Sequence, residues 1–315
     1  MCCCLFSTGD AADSSALLVD RSRSPRGPRV ADWTQCEWGE QLGAGAFAQV
    51  WAVRLPPFGD VAAKVLREDQ RGDRAAASDI AREASLVCRL CHPHVLHGLL
   101  AHDHPAHGTV LVLPRIACTL AQHFRPPTQR TPCDDWRLAR DWPLRRVLLV
   151  GLQLASALDY LHEHALAEHH VLHRDLKPDN VGLLGERGPR GVPCLLDFGC
   201  ARMAPEVYEG RPYGRRSESH SFALLLWHLL AREPPFEALI GLGGKRAFEE
   251  EVVQGGVRPR LFPEWPVELA ALLDECWQPA PHRRPRMAQL ATPLVSAAEV
   301  QVMARPPSDA PPGVS

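Results

Sequence analysis

The apolar pattern of this chain changes period once, and that change limits the folds open to it. Between Gln41 and Val65 the apolar residues fall in short runs, Gln41-Leu42, Val50-Trp51-Ala52-Val53 and Val61-Ala62-Ala63-Lys64-Val65, with turn residues between them. Such runs predict an antiparallel meander. Val110 to Leu113 is a further compact run and predicts a buried strand. One helical stripe lies between them, with Ile80, Ala84, Val87 and Leu90 on one face. From Arg145 onward the period is helical, and Leu148, Leu152, Ala155, Leu158 and Leu161 mark one long amphipathic helix. Residues 125–143 hold four prolines and mixed charge, which predicts a loop insertion. A small β-rich part followed by a larger helical part is an α+β pattern.

Length and composition narrow the function. The 315 residues give room for about two lobes or domains. A hydrophobic share of 45% and a charged share of 23% exclude wholesale disorder. Lys and Arg number 35 against 37 Asp and Glu, so bulk charge gives no reason to expect a nucleic-acid partner. The longest apolar helix candidate, Ser221 to Ala231, is far shorter than the ~20 residues of a membrane span. The start of the chain lacks an apolar run with a small-residue cleavage site, so export is not expected. Its eleven cysteines are scattered and odd in number, which fits reduced thiols and a cytoplasmic setting.

Residues 1–37 read as a disordered extension, with a basic, proline-broken stretch at Arg21–Arg29, and 299–315 as a Pro-rich disordered tail. Cys2, Cys3 and Cys4 ahead of those arginines make a candidate acylated, peripheral membrane contact, weighed against a plain leader. Cys2 in place of glycine breaks the N-myristoylation pattern. Ser24-Pro25 is a candidate phosphosite.

Three patterns carry chemistry. Gly43-Ala44-Gly45-Ala46-Phe47-Ala48 lies between two predicted strands, where glycines let backbone approach phosphates. A strand rather than a helix follows it, against a dinucleotide fold. Lys64, on a strand beyond this loop, can meet phosphates as a point charge, and Glu83 on the helical stripe can pair with it. The strongest pattern is His173-Arg174-Asp175-Leu176-Lys177-Pro178-Asp179-Asn180, followed by Asp197-Phe198-Gly199. An aspartate to accept a hydroxyl proton, an asparagine and an aspartate for Mg²⁺, and a lysine for the moving phosphate would make a phosphoryl-transfer site.

These residues resemble the eukaryotic protein kinase domain over about 38–298. Ala204-Pro205-Glu206 and Cys276-Trp277 with Arg284-Pro285 continue the likeness, and the family pattern implies a Glu206–Arg284 pair. The resemblance implies a two-lobed fold, with a small N-lobe at 38–113 and a helical C-lobe at 114–298. It implies ATP and Mg²⁺ in the cleft and a protein substrate. Lys64, Glu83, Asp175 and Lys177 would be catalytic, and Asn180 and Asp197 would bind the metal. Leu42, Gly43, Ala44, Gly45, Ala46, Val50, Ala62, Lys64, Leu113 and Ile116 would line the nucleotide site, with Leu113 the gatekeeper and a hinge near Pro114 to Ile116. Lys177, two residues after Asp175, resembles the Ser/Thr-specific pattern, and the Cys-Trp ending resembles tyrosine-kinase-like Ser/Thr enzymes.

The chain departs from that family at several points. Ala48 replaces the third loop glycine. Glu218 stands where an aspartate usually braces the catalytic loop, and its extra methylene predicts misplaced hydrogen bonds. His220 and Ala223 stand where Trp and Gly are common. Asn180 to Asp197 is long, which predicts an extended surface hairpin. Only Cys200-Ala201-Arg202-Met203 separate Gly199 from Ala204, where relatives have a segment several times longer. None of the four is Ser, Thr or Tyr, and the seven virtual bonds to Glu206 span at most about 25 Å. Two functions follow: a serine/threonine kinase, or a pseudokinase serving as a nucleotide-binding scaffold. Other patterns have plainer readings. Cys88-Arg-Leu-Cys91-His92 matches a haem-attachment spacing but fits two small residues on a helix. The tract with His92, His94, His97, His102, His104 and His107 matches no standard zinc spacing and fits a solvated hairpin. Cys200 is a candidate reactive thiol.

Overall fold

The computed structural model describes residues 31–167, 169–197 and 214–303. Cys2, Cys3, Cys4, Ser24, Phe198, Gly199, Cys200 and the Ala204-Pro205-Glu206 motif lie outside the described residues, and so do the short 200–203 segment and one partner of the expected Glu206–Arg284 pair.

The meander forms as the pattern predicts. Strands β1 (Glu37–Ala44), β2 (Ala48–Leu55) and β3 (Gly59–Leu66) are antiparallel neighbours. β5 (Gly108–Pro114) pairs with β3, and its Val110 to Leu113 run is buried. The pattern misses one strand, β4 (Leu100–His104), which pairs with β5 and closes a five-stranded sheet in the order β1-β2-β3-β5-β4. Its sequence Leu-Ala-His-Asp-His has little apolar alternation, so it carries no strand signature. Of the histidine tract expected to form one hairpin, His92, His94 and His97 precede β4 and lie outside it, whereas the β4–β5 hairpin holds His102, His104 and His107. There Trp33 stacks on His102 with centroids 5.3 Å apart, and Trp38 meets His107 at 4.6 Å. Ordered packing therefore begins ahead of residue 38, with Asp32 capping a short 3₁₀ turn at Trp33–Gln35.

Alternation along β3 sets the two faces of this sheet. Val61, Ala63 and Val65 face an outer cluster with Val53, Leu55 and Val110. Ala62 faces the other way, toward helix α1 (Arg74–Val87), whose buried stripe is Ala76, Ile80, Ala84 and Val87. Asp73 caps α1 by accepting from the Ala75 N–H at 2.7 Å. Cys88 closes the helix, and Cys91 lies past its end, where its N–H donates to Tyr160. The Cys-x-x-Cys-His stretch thus joins α1 to the larger part of the molecule, with the His92 ring stacked on Tyr160.

Residues 125–143 are not a loop insertion. Helix α2 (Pro132–Asp141) forms within them because the prolines sit where a helix tolerates them. Pro132 takes the first turn, where its missing N–H is no loss, and Thr131 and Asp134 cap each other's backbone. Helix α3 (Leu144–Glu163) follows as predicted and carries Leu148, Leu154, Leu158 and Leu161 into the largest core cluster. α4 (Arg215–Ala231) packs on it, α5 (Glu237–Ala247) follows in the chain, α6 (Val267–Cys276) packs on α4, and α7 (Met287–Met303) lies along α3 and also meets α6. A small three-stranded sheet, β6 (Cys118–Thr119), β7 (Val181–Leu184) and β8 (Val192–Leu195), joins the two parts. The long Asn180–Asp197 stretch is the β7–β8 hairpin. No helix among the described residues is long and apolar enough to cross a membrane. The α+β, two-lobed arrangement that the resemblance implies is the one observed.

Candidate functional site

Lys64 lies on the same face of β3 as Ala62, with Val50 and Leu111 as its cross-strand neighbours. Glu83, next to buried Ala84 on α1, is thereby placed opposite it. The Lys64 ammonium donates to both Glu83 oxygens at 2.6 and 2.8 Å and to Asp197 at 3.1 Å. Burial alone would lower the Lys64 pKa, but the two carboxylates outweigh it and raise the pKa above its ordinary value. The lysine is therefore charged and fixed. Asp197 has one oxygen on Lys64, and its side chain is 49% exposed. It also adopts a positive φ of 48°, a conformation of the kind that concentrates at functional sites.

The catalytic-loop candidates converge on the C-lobe side. Lys177 donates to Asp175 Oδ2 at 2.7 Å. Asn180 is buried on the 3₁₀ turn Pro178–Asn180, and its Nδ2 donates to the Asp175 carbonyl at 2.9 Å. That bond fixes the asparagine and leaves its amide oxygen as an acceptor. His173 bridges the loop to the strand that delivers Asp197, donating through Nε2 to the Leu196 carbonyl at 2.8 Å and accepting from the Asp175 N–H at 3.3 Å. Burial lowers the His173 pKa against the pull of Glu218 and Asp175, which suits this neutral tautomer.

Glu218 overturns its expectation. It lies on the first turn of α4, fully buried, and its longer side chain spans two partners. Oε1 accepts from the Arg174 N–H at 2.6 Å, and Oε2 sits 2.6 Å from His162 Nε2 on α3. The catalytic loop is braced, with its backbone hydrogen bond in place. Arg174 holds a φ of 67°, a left-handed conformation that this brace sustains. Sequence reasoning missed His162, a polar residue on an otherwise apolar helix face. That buried polar position is the only signal it offers.

The nucleotide candidates divide into a floor and a cover. Val50, Ala62, Leu113 and Ile116 fall in one apolar cluster, which also includes Leu184, Cys194 and Leu196, three members that the sequence reading did not select. Gly182 belongs beside them, because a Cβ there would meet Ile116 and Leu196 at 3.0 Å. The cover is the β1–β2 hairpin. Leu42, Gly43 and Ala44 end β1, and Gly45 and Ala46 make the turn. A Cβ on Gly43 would meet nothing within 4 Å, and one on Gly45 only the Ala48 carbonyl at 3.6 Å. The fold itself therefore does not require glycine at either position, whereas close approach of a ligand to the backbone would.

Two family models match the chain. That of the protein kinase domain covers residues 36–203, and that of the protein tyrosine and serine/threonine kinases covers 195–294. Human mitogen-activated protein kinase kinase kinase 11 is 28% identical over 316 residues, covering 92% of this chain and 34% of that protein. Serine/threonine-protein kinase PkaA of Streptomyces coelicolor is 30% identical over 82% of this chain and 49% of its own length. Serine/threonine-protein kinase STY17 of Arabidopsis thaliana is 34% identical over 47% of this chain and 26% of its own. The chain thus spans between about a quarter and a half of these relatives.

Proposed function

The chain belongs to the protein kinase domain family, and from that premise we propose that it transfers the γ-phosphoryl group of ATP to serine or threonine hydroxyls of a protein substrate. The observation that carries this reading is the Lys64–Glu83–Asp197 contact, which fixes a charged lysine beneath a loop whose glycines the fold does not require.

In this reading Val50, Ala62, Leu113 and Ile116 receive the base, and Lys64 meets the phosphates. Asp175 accepts the proton of the acceptor hydroxyl as the new oxygen–phosphorus bond forms and the bond to the bridging oxygen of ADP breaks. Lys177, already on Asp175, balances negative charge beside the moving phosphoryl group. Asn180 and Asp197 offer an amide oxygen and a half-exposed carboxylate, a hard-oxygen donor set that suits Mg²⁺. When bound, the ion supplies positive charge against the phosphate oxygens. Catalysis is then mostly positioning and charge stabilisation. Similarity to serine/threonine kinases supports this reading over the scaffold alternative, whose ground, the short 200–203 segment, lies outside the described residues. A cytoplasmic setting belongs to the same proposal, and among the described residues no two cysteines are joined.

The test is phosphoamino-acid analysis of a mixed protein substrate after incubation with γ-labelled ATP and Mg²⁺. Phosphoserine and phosphothreonine that vanish with Lys64→Met are the expected result. Label on tyrosine alone, or label unchanged in the variant, would contradict the reading.

A further inference from the structure

A second cluster of charge lies where the end of α4 meets the segment that leads into α2. The Arg130 side chain is 7% exposed, yet its Nε and Nη1 have no hydrogen-bond partner. Asp135 Oδ1 lies 3.2 Å from that Nε, close enough to balance charge but not aligned as an acceptor. Arg232 has a buried Nε that is likewise unpartnered. It follows the last turn of α4 with φ 59° and ψ 27°, a left-handed conformation in which glycine is the usual choice. His228, one turn earlier on α4, is anchored to the Phe124 carbonyl and leaves its Nε2 buried without a partner. That anchor draws the end of α4 to the 124–130 segment.

The two guanidinium groups are near enough that Arg130 disfavours the charge on Arg232, in addition to the larger effect of burial. Asp135 is shared between them, lying 3.2 Å from the Arg130 Nε and favouring the charge on Arg232, so one carboxylate faces two guanidinium groups. Asp179, between Pro178 and Asn180 in the catalytic loop, is exposed and acts on His228. Buried guanidinium N–H groups without acceptors are costly, and a planar oxyanion is the ligand that fits their fork.

We propose that Arg130 and Arg232 form an anion subsite beside the catalytic loop, which receives a carboxylate or phosphate carried by the acceptor protein near its reacting hydroxyl. The proposal rests on the kinase reading for its substrate, but the subsite itself can be tested by binding. It makes Arg130 and Arg232 specificity-determining residues, and it gives the chain a preference for acidic or already phosphorylated acceptor segments.

The experiment uses the full 315-residue chain and peptides with one serine acceptor. Alanine, glutamate, phosphoserine or lysine is placed at each flanking position in turn. At one or two positions, glutamate or phosphoserine is expected to raise kcat/KM about tenfold over alanine, through KM. Preference for glutamate and phosphoserine alike identifies any oxyanion as the ligand, and preference for phosphoserine alone identifies phosphate. Arg232→Gln should bring the acidic-to-neutral ratio to about one, and Arg232→Glu should turn the preference toward lysine, with circular dichroism confirming that both variants fold. Equal use of alanine and acidic peptides at every position, or an unchanged ratio in both variants, would overturn the subsite. If no peptide is phosphorylated, the kinase reading fails separately. Fluorescence anisotropy of a labelled phosphoserine peptide then decides the subsite: binding lost in Arg232→Gln supports it, and no binding or undiminished binding overturns it.

Discussion

Two clusters of charge flank the cleft of this molecule and differ in how far their hydrogen bonds are filled. In the N-lobe cluster, Lys64 holds both oxygens of Glu83 and one of Asp197, and the Asp197 side chain remains 49% exposed. In the C-lobe cluster, both oxygens of fully buried Glu218 are taken, one by the Arg174 N–H and one by His162. The first has room for a further ligand and the second has none. The difference separates a site that does chemistry from one that holds shape, because an open carboxylate near a fixed cation is available to react, whereas a closed buried one can only be lost.

Mutations break this comparison most visibly at its open end. Asp197→Asn should lower phosphotransfer at least about a hundredfold, while leaving unfolding free energy within about 0.5 kcal/mol of wild type. Steady-state kinetics beside urea melts would read both, and a large stability loss would assign Asp197 a structural role. The closed end should respond in reverse. Glu218→Ala leaves His162 and the Arg174 N–H unpartnered in a buried site, for an expected loss of about 3 kcal/mol. Urea denaturation checks this, and an unchanged midpoint would mean that the brace carries no stability.

Acid acts outside both clusters, at His228 near the end of α4. Burial pushes His228 down to about 4, with Arg130 adding to the effect, against an ordinary 6.5. The unfolded chain therefore binds more protons than the folded one between those values. Stability from this group is full above about pH 6.5 and is lost as pH falls toward 4, by about 1 to 2 kcal/mol between pH 7 and pH 5. His92, also near 4 through burial and the neighbouring His94, acts with the same sign. Thermal melts across pH 5–7 would show the slope, and His228→Asn should flatten it. The smallest expected effect lies in neither cluster. Thr131→Ala removes one half of the α2 capping box and should cost about 1 kcal/mol without changing KM for ATP.

Much of the open cluster was legible because its chemistry follows local pattern. The alternation Val61-Ala62-Ala63-Lys64-Val65 puts Lys64 on the α1 side of the sheet, and the helical stripe brings Glu83 to it. The closed cluster was harder to read. Glu218 looked one methylene too long, and only the packing of α4 against α3 shows that the extra length lets it span His162 and the loop backbone together. Helix α2 was hidden by prolines that act as breakers inside a helix but as starters at its first turn. β4 was hidden by its histidines, which find their partners in Trp33 and Trp38 rather than in an apolar core. Arg130 and Arg232 share no motif, and tertiary folding alone brings them together.

Phosphoryl transfer is tested by following label from γ-labelled ATP into a generic protein substrate with the purified 315-residue chain and Mg²⁺, run beside Asp175→Asn. Acceptor labelling should fall at least about a hundredfold in the variant. Labelling that is absent from the wild-type chain, or equal in the two proteins, would contradict phosphoryl transfer at this site.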